Sequence, residues 1–125
     1  ENFGGVRAPL LRGPITFGDL VTMDPFDNTI VTYRLTGRDL KRILTERTPA
    51  VSGLTYRIEG GRLLEAKVGG KPVREDAVSY FAPWALKGIE CTDTGRPRIE
   101  VLREYVRSKK VISPKYDGRR RVRED

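Results

Sequence analysis

Thr29-Ile30-Val31-Thr32-Tyr33-Arg34-Leu35-Thr36-Gly37-Arg38-Asp39-Leu40-Lys41-Arg42-Ile43-Leu44 changes its periodicity halfway along. Five of its first seven residues are β-branched or aromatic, which predicts a strand over 29–35. Thr36 then stands where a helix N-cap is needed, its hydroxyl placed to accept a backbone N–H of the first turn. Leu35 and Leu40 flank that cap at the spacing of a hydrophobic staple. Beyond it Leu40, Ile43 and Leu44 recur on one helical face, so a helix is predicted from Gly37 to about Glu46. A strand that runs straight into a capped helix sets the class.

Working outward, residues 1–15 are rich in Gly and Pro and carry no period, so they read as loop. Thr16 and Asp19 form a carboxylate variant of the capping box leading into Leu20 and Met23, and Pro25 stops that short helix. Downstream, Leu54–Ile58 and Arg62–Val68 flank Glu59-Gly60-Gly61 as a hairpin. Gly69-Gly70 turns into a short Lys71–Val73 segment, and Ala77–Ala82 is a further apolar strand. Pro97 in a first-turn position opens a helix through Ser108 that is expected to bury Ile99, Leu102, Tyr105 and Val106. A last strand pair, Val111–Ile112 with Arg119–Val122, is expected across Asp117-Gly118. Strands and helices mix without βαβ regularity, which gives an α+β fold: a single domain over 1–125, with a mixed β-sheet and packed helices.

The composition narrows the function classes. The 125 residues suffice for one domain core, and 38% apolar with 33% charged residues is an ordinary globular balance. No apolar run reaches bilayer length, so no membrane span is expected. The chain opens on Glu1 without an initiator Met, which reads as a fragment or processed product, so its start carries no compartment signal. Cys91 stands alone, which excludes an internal disulfide and fits a small, partly buried side chain.

Zero histidines remove the usual ligands of hydrolytic metal sites and the base of Ser–His or Cys–His pairs. No catalytic residue is therefore assigned. Asp24, Asp27 and Asn28 lack the alternate spacing of a calcium loop, so no metal site is expected and no cofactor is assigned to this chain. The net charge of +7 invites an anionic partner. Those charges are interspersed with carboxylates, whereas a dedicated polynucleotide binder concentrates cations on one stripe. The Arg119-Arg120-Arg121 run near the C-terminus reads as a solvated surface.

Three segments occur in a telling order: Asn2-Phe3-Gly4-Gly5-Val6-Arg7, then Asp24-Pro25-Phe26-Asp27-Asn28 with Leu35-Thr36-Gly37-Arg38-Asp39-Leu40, then Ser52-Gly53 with the later Tyr80–Glu90 stretch. In this order the chain resembles the 5'-nucleotidase C-terminal domain family, whose members read N-x-G-G-x-R, P-F-x-N, L-T-G-x-x-L and S-G. The resemblance implies a substrate-binding domain of a 5'-nucleotidase or UDP-sugar hydrolase type of metallophosphoesterase. It places the divalent metal pair and its ligands in an N-terminal metallophosphoesterase domain absent from this chain. This domain would hold base and ribose and present the 5'-phosphate to metal-activated water on the other domain. A periplasmic or extracellular location also follows from the resemblance alone.

Substrate-binding candidates follow residue by residue. Asn2 and Arg7 bracket Gly4-Gly5, where the backbone can approach a ligand closely, and a guanidinium offers a planar fork to phosphate or ribose oxygens. The resemblance sets Asn2 and Arg7 on the ribose and phosphate side. It makes Phe26, beside Asn28, one side of an aromatic clamp and Trp84 the other. It sets Glu90 where the family carries an Asp for the ribose hydroxyls, with Ile89 replacing a Gly. Plain alternatives stay open: a Gly turn with a surface Arg, a Phe in a minor cluster, a core Trp, a surface carboxylate.

The expected partner is a nucleoside 5'-monophosphate or related nucleotide. UDP-sugars, cyclic nucleotides and thiosulfate-type substrates remain open within the same family. A competing reading of another class is a non-catalytic basic module for RNA or anionic surfaces.

Overall fold

The strand-to-helix junction forms as its residues dictate. In a computed structural model describing residues 5–82 and 86–124, β1 spans Thr29–Thr36 and α2 spans Gly37–Arg47. Asp39 N–H donates to Thr36 Oγ1 at 3.2 Å, and the Thr36 hydroxyl donates to the Asp39 carboxylate at 2.6 Å. That second bond, first among several causes, holds the Asp39 carboxyl below its ordinary range. Leu40, Ile43 and Leu44 are all buried, each adding about 1.5–3 kcal/mol of transfer free energy.

The remaining elements are α1 (Phe17–Met23), β2 (Leu54–Glu59), β3 (Arg62–Val68), β4 (Lys71–Pro72), β5 (Val78–Phe81), β6 (Cys91–Pro97), α3 (Arg98–Lys109) and β7 (Arg120–Arg123). The fold is a mixture of helices and strands, as expected, but the strands form two sheets rather than one. They are ordered β5-β1-β6 and β4-β3-β2-β7. The chain divides into two compact units. One holds residues 32–91 and 115 onward, the other residues 4–31 and 92–114.

The first unit holds the apolar core. Tyr33, Leu35, Val51, Leu54, Tyr56, Ile58, Ala66 and Phe81 join the α2 side chains in burial. The β2–β3 hairpin pairs antiparallel from Leu54↔Val68 to Glu59↔Arg62, with a bulge at Arg57/Ile58. Alternation is strict along β2, where Leu54, Tyr56 and Ile58 face inward between exposed Thr55 and Arg57. The Tyr56 hydroxyl donates to Pro49 O at 2.6 Å, which satisfies the one polar atom this ring brings into the core. β1 pairs antiparallel with β5 in the register Tyr33↔Phe81 to Thr36↔Val78.

The C-terminal strand departs from expectation. Val111–Ile112 forms no strand, and β7 instead pairs parallel with β2, Tyr56↔Arg120 to Glu59↔Arg123. Asp117-Gly118 does turn the chain, but the Asp117 carboxylate grips Arg119 two residues on, with Nε–H bonds of 2.9 and 2.7 Å. β7 takes the open edge of an already buried strand instead of forming a local hairpin, and Val111, left unpaired, is 79% exposed.

The second unit is thinly cored. Leu20 is its one buried apolar side chain among the described residues. α1 has the full capping box: Thr16 N–H donates to Asp19 Oδ2 at 2.7 Å and Asp19 N–H to Thr16 Oγ1 at 3.2 Å. α3 packs against α1, with the Arg103 guanidinium 5.6 Å from the centre of the Phe17 ring.

Three further expectations are corrected. Pro97 is the N-cap of α3 rather than its first residue. Ile99, Leu102 and Val106 are only half-buried and Tyr105 is 53% exposed, because the helix has only a small partner to cover it. β6 has no counterpart among the expected strands, and Asp93, Gly95 and Pro97 are residue types depleted in strands. It pairs with β1 in the sheet, and side chains add to the pairing, Thr94 Oγ1 donating to Ile30 O at 2.6 Å and Thr29 Oγ1 to Asp93 Oδ2 at 2.9 Å. Cys91, at its start, is exposed rather than partly buried.

Candidate functional site

The second unit gathers its polar chemistry around one ring. α1 ends at Asp24, whose N–H still reaches Leu20 O at 2.9 Å, and Pro25, lacking an N–H, cannot extend the helix. Phe26 follows on the connecting loop and is half-buried. The Arg7 N–H donates to Met23 O at 2.8 Å, which ties the segment at residues 5–7 to the end of α1. That tie brings the Arg7 guanidinium to 5.1 Å from the centre of the Phe26 ring. Two expected residues, far apart in sequence pattern, therefore meet. Arg7 is exposed, and among the described residues no carboxylate pairs with it.

A third residue joins them that the sequence reading did not single out. The Arg98 guanidinium lies 5.8 Å from the same ring centre. It forms an ion pair with Asp24, with side chains only 27% and 10% exposed respectively. The Arg98 N–H donates to Asn28 O at 2.8 Å, so the first turn of α3 is fastened to the Phe26 loop by backbone as well as side chain. Arg98 and Asp24 stand 74 residues apart, and no local pattern links them. The available signal was the isolated Asp before Pro25, read above only as a poor metal ligand.

Taken together, the Phe26 ring face and the Arg7 guanidinium can accept a planar ring and an anionic group at adjacent points, while Arg98 is committed to Asp24. Asn28 is exposed, and its observed role is through its carbonyl. Gly5 is half-buried beside this segment. Glu90 is exposed and belongs to the other unit, just ahead of β6. Asn2, Gly4 and Trp84 lie outside the described residues. Leu86, which follows shortly after Trp84 in sequence, donates its N–H to the buried Tyr33 hydroxyl at 3.1 Å.

The basic run is knit into the first unit. Arg119 pairs with Asp117, Arg120 Nε–H donates to Thr48 O at 2.8 Å, and Arg121 Nε–H to Gly118 O at 3.2 Å. A groove of about 300 Å³ beside β7 is lined by Arg57, Lys67 and Arg121 together with Glu65 and Asp117. Lys67 is paired with Glu65 and Arg57 with Glu59, so cations and carboxylates alternate there. Among the described residues no group of three His, Cys, Asp or Glu side chains could hold a metal ion, and no helix is long and apolar enough to cross a membrane.

Comparison with known proteins gives the family. The family model for the 5'-nucleotidase C-terminal domain matches residues 1–80, the stretch that carries Arg7 and Phe26. An endonuclease of Bacillus subtilis, YhcR, is 39% identical across 86% of this chain. The NAD 5'-nucleotidase of Haemophilus influenzae is 33% identical across 60% of it. The crystal structure of a 5'-nucleotidase precursor from Thermus thermophilus superposes with a TM-score of 0.79 at 26% identity over 95% of this chain. The chain spans only 11%, 15% and 30% of those three proteins. By sequence match and by fold, this chain belongs to the 5'-nucleotidase C-terminal domain family.

Proposed function

We propose that this chain is the nucleotide-recognition domain of a 5'-nucleotidase-type phosphohydrolase. In this reading it holds the base and ribose of a nucleoside 5'-monophosphate or related nucleotide, while a separate metallophosphoesterase domain hydrolyses the ester. The observation that carries it is the meeting of Arg7 with Phe26, on a segment inside the family match. A ring face takes a base by stacking, and a guanidinium with no carboxylate partner takes phosphate or ribose oxygens. By resemblance alone, Asn2 is assigned with Arg7 to the ribose and phosphate side, Gly4 to close backbone approach, Trp84 to a second aromatic face and Glu90 to the ribose hydroxyls.

The donors in this chain do not suit a dinuclear metal site. It has no histidine, and its best-placed loop carboxylate, Asp24, is committed to Arg98. No chemical step is assigned to a metal here, and the divalent pair belongs in the proposal to the partner domain. A periplasmic or extracellular setting is part of the same proposal.

Titration of the full chain with AMP, followed by amide and aromatic NMR, tests the reading. Expected are shifts at Arg7 and Phe26, with affinity that changes little between low and moderate salt, and no phosphate release with or without added divalent metal. Silence towards AMP, together with tight, steeply salt-dependent binding of a single-stranded oligonucleotide, would replace it with the polyanion reading.

A further inference from the structure

We propose that Arg98 is a positioning residue for Phe26, fixing the ring face that receives the base; the inference rests on the nucleotide reading above. Three contacts converge on Arg98. Its backbone N–H holds Asn28 O on one side of the Phe26 loop, its guanidinium pairs with Asp24 on the other, and the same guanidinium faces the ring between them. The residue therefore brackets Phe26 in sequence and touches it in space.

The ion pair is not explained by stability alone. A largely buried pair gains little over apolar side chains of the same volume, because both charges must shed water. It is useful where it fixes geometry. Here the geometry comes at a visible cost: Arg98 Nε is buried without a hydrogen-bond partner among the described residues. A guanidinium placed only to neutralise Asp24 could turn to satisfy that donor. Placed against Phe26, it instead lies over the ring at 5.8 Å from its centre, where a cation is attracted to the π face. Among the described residues, the unit that contains this loop buries only Leu20 as an apolar anchor, so packing gives the ring little support.

The test is Arg98→Lys in the full chain, read by thermal melting and by titration with AMP and with ribose 5-phosphate. Lysine keeps the charge opposite Asp24 but has no planar face. Expected are a melt close to the parent, a loss of AMP affinity of roughly 2- to 5-fold on the scale of one cation–π contact, and unchanged ribose 5-phosphate affinity. In a Phe26→Ala background the same substitution should have no further effect on AMP. Parental AMP affinity in Arg98→Lys, or an equal loss with and without Phe26, would overturn the proposal.

If the parent chain does not bind AMP, the nucleotide reading fails separately. Arg98 is then judged by the Phe26 ring resonances, which must move in Arg98→Lys; unmoved resonances overturn it. Should the lysine variant not fold, Asp24→Asn keeps the guanidinium, releases its anchor and gives the same comparison.

Discussion

The carbonyl oxygen of Arg74 lies 1.8 Å from the point where a Cβ on Gly37 would stand. The approach is fixed by backbone, since Gly37 N–H donates to Ala77 O at 2.8 Å and Arg38 N–H to Glu75 O at 3.3 Å. It gives each position of Leu35-Thr36-Gly37-Arg38-Asp39-Leu40 a physical reason. The leucines are buried, Thr36 caps the helix, and Gly37 admits the 74–77 segment. This motif supports the fold.

Gly37→Ala should therefore destabilise the chain by about 1–3 kcal/mol, the scale of overpacking a site whose neighbours cannot move aside. Chemical denaturation measures it. A stability equal to the parent would mean that the 74–77 segment shifts freely.

Thr36→Ala should cost about 1 kcal/mol through loss of the cap, with Thr36→Ser close to the parent. The Asp39 carboxyl should also titrate higher, since the Thr36 hydroxyl is the first cause holding it down. Carboxyl NMR titration of both variants separates a lost cap from a general loss of structure.

Asp117 carries the clearest pH dependence. The side-chain bonds from Arg119, and then its backbone N–H, lower the Asp117 carboxyl from 3.8 to about 2. A depressed carboxylate pKa stabilises the folded state fully above pH 3.8, and that contribution is lost as pH falls through about 2. In Arg119→Gln the Asp117 midpoint should rise back towards 3.8, and an unmoved midpoint would show that Arg119 is not the cause.

Phe26→Ala should weaken AMP binding by about 1–3 kcal/mol, as loss of one stacking face does. Its effect on stability should be small, because the ring is half-buried on a loop. A stability loss of about 3–5 kcal/mol would instead make it a core residue. Trp84→Ala is expected to behave as Phe26→Ala does in the same paired measurements.

Arg7→Lys should cost about 1–2 kcal/mol of nucleotide affinity although charge is kept, since an ammonium cannot reproduce the bidentate fork. The measurement belongs in a full-length enzyme as well as in this chain. Unchanged affinity there would leave Arg7 as a loop residue that merely covers Phe26.

What the sequence determined by itself was local. The strand-to-helix junction, both Thr–Asp caps and the β2–β3 hairpin rest on signals three to five residues long, and these override little else in a folded chain. Arg7 and Phe26 were legible as candidates because their segments carry a family pattern. The tertiary structure decided the rest. β7 left its neighbour in sequence for the open edge of β2, because pairing with a buried strand gains more than a local turn. β6 formed from residues uncommon in strands because it pairs with the edge of β1, with the side chains of Thr29 and Thr94 adding bridges. Arg98 reached Phe26 only because α3 returns its first turn to the loop that α1 had left. Such contacts are fixed by chain return rather than by spacing, and no periodicity in the sequence encodes them.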